Sequence, residues 1–189
     1  MNARFTLPTA LVAVLLVAGW MVLPRYTFAS GSRLWVEGTS TIHDWECTAG
    51  QVSASLDATP SGNGLASIGA LTVTTPVSAL DCGNGTMSGK ARDALGSSPI
   101  RFTLSRAQVG TPNGGRFLVE ADGQLSIHGT ARAQHIRVQG QSLSNGRFRF
   151  TGEIPVDMTQ FGVTPPRAMA GTLRTGDRVT VKFDVTAAR

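Results

Sequence analysis

The sequence predicts an all-β protein: an eight-stranded antiparallel barrel with one short helix, behind an N-terminal signal peptide. Three observations carry this. Apolar residues recur at every second position through segment after segment, the period of a strand with one buried face. Clusters of Gly, Asn and Pro separate those segments as turns do. No strand–helix–strand alternation runs through the chain, which argues against a parallel sheet. Eight half-buried strands are best satisfied by closure, because a barrel leaves no sheet edge unpaired. A two-sheet sandwich is the runner-up.

The elements follow in order. Arg4 supplies a positive start, and Ala10 to Leu23 is an apolar run of 14 residues without charge. That is short for a membrane span, which needs about 20 residues, and fits the apolar core of a signal peptide. Thr27 and Ala29 offer small residues for cleavage after Ala29, so residues 1–29 are expected to be leader and residues 30–189 the mature domain. An uncleaved membrane anchor is the alternative. Either reading predicts an exported protein, periplasmic or secreted.

Leu34 and Val36 open the first mature strand, with Ile42 on the same parity beyond an irregularity at Gly38. Val52, Ala54 and Leu56 make the next strand, and Pro60 to Gly64 turns the chain. Leu71, Val73, Thr75 and Val77 continue the alternation to Asp81. Met87, Ala91, Ala94 and Leu95 then recur at helical spacing, which predicts a helix over 86–95 capped by Thr86 and ended by Gly96. Ile100, Phe102 and Leu104 restart the strands. Phe117, Val119, Ala121 and Leu125 share a face that runs into a hairpin, with Ile136 and Val138 on its far arm and a turn expected at Gly129-Thr130. Phe148, Phe150, Ile154, Val156 and Met158 form one further apolar face, and Val179, Val181, Phe183 and Val185 the last.

Composition excludes several classes. Seventeen basic residues stand against twelve acidic ones, but no run of Lys or Arg occurs and aromatics make up only 6%. The arginines fall at alternate strand positions, as in Arg147-Phe148-Arg149, which reads as a solvated strand face rather than a nucleic-acid surface. Transient attraction to an anionic membrane surface is the functional alternative. No nucleophile elbow, phosphate loop or dinucleotide fingerprint is present. Nothing in the sequence calls for a cofactor.

Cys47 and Cys82 are the only cysteines, and in an exported chain such a pair reads as a disulfide. In the chain-entropy account, closing a loop of that size contributes roughly 3–4 kcal/mol. His128 and His135 lie too far apart along the predicted hairpin to share a metal ion, so no metal site is expected. His43 beside Asp44 is the one pairing that a hydrolase or isomerase could use. The apolar side is richer. Val73, Phe102, Leu104, Phe117, Val119, Phe148, Phe150, Val181 and Phe183 share the inward parity and are expected to line a pore. A filled core, and with it a ligand-free structural or interaction module, is the competing expectation.

Several segments also resemble a known family. Gly123-Gln124-Leu125-Ser126-Ile127-His128-Gly129-Thr130-Ala131-Arg132 is similar to the most recognisable hairpin of the YceI-like family. Thr39 to Cys47, containing His43-Asp44-Trp45-Glu46-Cys47, resembles its opening strand, and Val77 to Met87 the segment that holds the partner cysteine. Pro99-Ile100-Arg101-Phe102, Asp157 to Pro166 and Gly171 to Asp177 resemble its later strands and closing loop. Together the likeness spans about residues 33–187. It implies a lipocalin-like barrel that binds a long-chain lipid (a polyisoprenoid, an isoprenoid quinone or a fatty-acyl chain) in an elongated pore without any reaction. Some members carry a helix with an Arg-Asp-x-His-Leu pattern. Here that stretch is Lys90-Ala91-Arg92-Asp93-Ala94-Leu95, without the His, so no head-group contact carries over from it. Arg92, Arg167 and Arg174 are the arginines expected to meet a lipid phosphate at the mouth.

Overall fold

The computed structural model describes residues 24–168 and 172–189. The apolar run of the leader, Met169 and Gly171 lie outside the described residues. Eleven of the twelve strand segments combine into eight staves of a closed antiparallel barrel. β1 (Arg25–Phe28) and β2 (Arg33–Ser40) both pair antiparallel with β12 (Leu173–Ala188) and form one interrupted stave. β3 (Trp45–Ala49) and β4 (Ser53–Ser61) form the next, then β5 (Gly64–Thr75) with β6 (Leu80–Asp81). β7 (Ile100–Val109), β8 (Arg116–Ile127), β9 (Thr130–Ser142) and β10 (Phe148–Asp157) follow as a meander, and β10 pairs with β12 to close the circle. β11 (Arg167–Ala168) adds a short ribbon against the start of β12.

The expected alternation is real: Phe117, Val119, Ala121, Leu125 and Ile127 are buried while Arg116, Leu118 and Gln124 are exposed. The outer face carries the scattered arginines, and several are matched across strands. Arg25 meets Asp57, Arg106 meets Asp122, Arg137 meets Glu120, Arg149 meets Asp184, Arg178 meets Asp157, and Lys182 meets Glu37. Cross-strand pairing of this kind neutralises part of the positive charge on the outer face.

Three local expectations shift. The hairpin turn is His128-Gly129 rather than Gly129-Thr130, because Ile127 pairs with Thr130. Both turn residues have positive φ, 51° and 75°, the requirement of a type I′ turn. With the turn one residue earlier, His135 faces Asp122. Ile42 does not continue the inward face; it projects 64% exposed from the β2–β3 connection. The helix, α1 (Gly85–Leu95), is capped by Asn84, whose side chain accepts from the Thr86 and Met87 amides, rather than by Thr86. Gly96 ends it at φ 70°, its N–H donating to the Arg92 carbonyl.

The two ends of the barrel differ. One end holds the β4–β5, β7–β8 and β9–β10 turns and the start of β1. Its turns are tied together: Ser142 donates its hydroxyl to the Asn63 carbonyl at 2.6 Å and its amide to the Gly115 carbonyl at 2.7 Å. Behind them Tyr26, Phe117 and Phe148 meet edge to face, with centroids 5.7 Å apart for Tyr26–Phe148 and 6.4 Å for Phe117–Phe148. The other end holds the β2–β3 connection, α1, and the loop after β10. That loop is pinned where Thr159 donates its amide and hydroxyl to Asp177. Phe161 and Val163 are fully buried beneath it.

Candidate functional site: an apolar cavity open at one end

Between the aromatic floor and the loops of the opposite end runs a cavity of about 340 Å³. Its walls are almost entirely apolar. Val73, Phe102, Leu104, Val119, Phe150, Val181 and Phe183, all expected from sequence, line it. Phe117 and Phe148 point inward as well but lie outside the lining, packed with Tyr26 in the floor. Periodicity could not separate these two roles, since floor and wall residues share one parity.

The cavity owes its width to glycine. Four barrel glycines sit under aromatic rings of the neighbouring strand. A Cβ at Gly38 would lie 2.2 Å from the Trp45 indole, at Gly123 2.4 Å from Phe102, at Gly140 2.3 Å from Phe117, and at Gly152 2.6 Å from Phe183. Each ring lies against bare backbone instead of projecting across the barrel axis. Trp45, Phe102 and Phe183 therefore line the cavity without filling it. Sequence reading missed this, because it takes the strand register to know which ring faces which glycine.

At the open end, α1 presents Met87, Lys90, Ala91 and Ala94 to the cavity, and Ser40, His43, Pro166 and Arg167 complete the rim. Of the three arginines expected there, only Arg167 borders the cavity. Arg92 is turned to the strand below and donates to the Leu80 carbonyl at 3.0 Å, which clamps α1 to β6. Arg174 stands opposite Arg167 in the β11–β12 ribbon but is not part of the lining. Lys90, which sequence reading passed over, is exposed on the rim. Cys47 and Cys82 are disulfide-bonded and border the cavity, tying β3 to the segment that leads into α1.

The enzyme alternative pairs His43 with the Asp44 carboxylate. Instead the His43 Nδ1–H donates to the backbone carbonyl of Asp44 at 2.7 Å. The other notable imidazole, His135, lies on the outer wall between Asp122 (2.7 Å) and Glu120 (3.1 Å). The hydrogen bond to Asp122 raises its pKa above the ordinary imidazole value, and the same bond, with help from Arg106, holds Asp122 below the usual carboxylate range. Among the described residues, no group of three His, Cys, Asp or Glu side chains is arranged to hold a metal ion.

Comparison with known proteins agrees with this architecture. Residues 25–187 match the model of the YceI-like domain family. The chain belongs to the YceI-like family. Among solved structures, it is similar to a polyisoprenoid binding domain from Saccharophagus degradans implicated in plant cell wall breakdown, with a TM-score of 0.67 at 16% identity, covering 87% of this chain and 98% of that one. Burkholderia cenocepacia BcnA gives 0.64 at 19% identity, with 83% and 96% covered. The Campylobacter jejuni YCEI protein gives 0.59 at 14% identity, with 76% and 84% covered. At these identities the likeness is one of fold. No curated protein matches the sequence. The family match starts at Arg25, five residues before the expected start of the mature domain.

Proposed function

We propose that this barrel binds and carries one long-chain apolar lipid outside the cytoplasm, with the chain lying in the cavity and its polar end at the rim. The observation that carries the reading is the cavity: apolar along its length, closed by an aromatic floor at one end and edged with cations at the other. Each methylene buried there contributes about 0.8 kcal/mol before ordering costs, so a long chain binds without any specific polar contact. Val73, Phe102, Leu104, Val119, Phe150, Val181 and Phe183 are the proposed chain contacts, and Phe117 and Phe148 the stop at the far end. Lys90 and Arg167 are the proposed partners of a phosphate or carboxylate head group. Arg92 is committed to the Leu80 carbonyl and drops out of that role.

Family membership and the polyisoprenoid-binding neighbour support a polyisoprenoid or isoprenoid quinone as ligand, with a fatty-acyl lipid as the other candidate of the same shape. The leader-like start and the disulfide support a periplasmic or secreted location. The proposal involves binding only, with no bond made or broken. Native mass spectrometry of protein taken from its own host tests it. Co-purification of one long-chain lipid per barrel, displaceable by added prenol or fatty acid, is expected. A barrel that arrives empty and takes up neither would refute it and leave the ligand-free module.

A further inference from the structure

The residues from Arg25 to Phe28, which look like the end of a leader, are a working part of the barrel. Thr27 pairs with Ala188 and Phe28 with Ala187 on one side, while Arg25 pairs with Asp57 and Tyr26 with Leu56 on the other. β1 is therefore the strand that joins β12 to β4 at the closed end. Tyr26 is 0% exposed and packs edge to face on Phe148 in the floor of the cavity. Ala29 itself donates its amide to the Thr186 carbonyl at 2.7 Å. A cut after Ala29 would leave β12 and β4 facing each other across a gap of about two strand spacings, roughly 9–10 Å. It would also remove the Tyr26 ring from the floor. Two bare edges and an opened floor would replace a sealed end.

Yet Thr27-Phe28-Ala29 is the one place in residues 1–29 where two small residues stand two apart, as processing requires. The stretch from Phe5 to Leu23 carries no charge. Its 19 residues are about the number a membrane span needs. Only Pro24 separates it from β1. We propose that the chain is not processed after Ala29, and that the uncharged stretch stays attached and anchors the barrel in a membrane by its closed end. The cavity mouth then faces away from that membrane, so the ligand is exchanged with something on the far side. The inference rests on the lipid-carrier reading only in naming which end is the mouth.

The test is the N-terminus and the membrane partition of the full chain, expressed with its own leader in a Gram-negative host. The expected result is an intact mass that includes the leader, in a membrane fraction that resists carbonate and high salt. A soluble chain that begins at any later residue, Ser30 above all, overturns the proposal. Ala29→Leu removes the small residue a peptidase would need. It is expected to leave both readouts unchanged, whereas a switch from soluble to membrane-bound protein in that variant would show that the site is used. Orientation is read separately in vesicles containing brominated lipid. A fluorophore on Asn63→Cys, in a closed-end turn, should be quenched more than one on Asp44→Cys at the mouth, and the reverse order overturns the assignment. None of these readouts depends on which ligand, if any, is bound.

Discussion

Gly152→Ala is the sharpest probe of how this barrel keeps its cavity. Gly152 lies directly opposite Phe183 in the β10–β12 register. A methyl group there would sit 2.6 Å from Phe183 Cζ, 3.2 Å from its Cε1 and 3.3 Å from the Arg137 carbonyl oxygen. Carbon atoms settle at about 3.5–4.0 Å, so the ring must retreat by roughly 1 Å, and the space behind it is the cavity. Overpacking of this kind costs about 1–3 kcal/mol, offset by the roughly 0.5–1 kcal/mol that alanine recovers over glycine in a strand. The variant should therefore fold with a modest loss of stability. A ring face advanced by about 1 Å displaces the equivalent of about one methylene of ligand, or about 0.8 kcal/mol, a factor of about four in Kd. Titrating a series of fatty acids and prenols of increasing length should show the loss concentrated in the longest chains. Adding Phe183→Leu should restore them, because the smaller side chain yields to the methyl group. If a folded Gly152→Ala variant keeps its length preference, or if Phe183→Leu fails to rescue it, glycine slots do not set the cavity and the argument fails.

Other perturbations separate the remaining parts. Phe148→Ala opens the floor and should cost about 3–5 kcal/mol in denaturant melts while lengthening the longest chain accepted. Reduction of Cys47–Cys82, or the double alanine variant, should lower stability by roughly 2–5 kcal/mol, seen as a fall in Tm with reductant. His135 binds its proton more tightly in the folded barrel. Its contribution is thus complete below the unfolded imidazole value and is lost as pH rises through the raised folded one; His135→Gln should flatten the Tm-against-pH curve from about pH 6.5 upward. Lys90→Gln with Arg167→Gln should weaken anionic lipids by up to about fivefold at low salt and leave an uncharged prenol unaffected, as expected of exposed charges.

The barrel was legible because a sheet with one buried face leaves period-two alternation in each stave, and closure follows from the number of staves. The disulfide was legible from two cysteines behind a leader-like start. What escaped notice depends on register or on long-range pairing. Tyr26-Thr27-Phe28-Ala29 reads locally as a cleavage region, and only Leu56 and Ala187, distant in sequence, reveal it as a strand. The turn lies one residue earlier than expected because its first position is His128, and a residue other than glycine is uncommon at positive φ. Helical periodicity marks only the apolar side of α1 as inward, whereas the rim also takes Lys90 from the edge of that face.

Floor and cavity are written in the same alphabet of inward aromatics, and what separates them is the group each ring packs against. Where a ring is met by a second ring, as at Phe148 with Tyr26 and Phe117, the edges interlock and the interior fills. Where a ring is met by glycine, as at Phe102 with Gly123 and Phe183 with Gly152, it folds back on the sheet and the axis stays open. Phe117 does both, lying on Gly140 while its edge meets Phe148 and Phe150, and it stands where the floor gives way to the cavity. On this argument the depth of the cavity is set by the point at which aromatic partners replace glycine partners around the barrel. Moving that boundary by one pair of residues along a stave, about 6.6 Å at 3.3 Å per residue, changes the length of chain that fits by several methylenes.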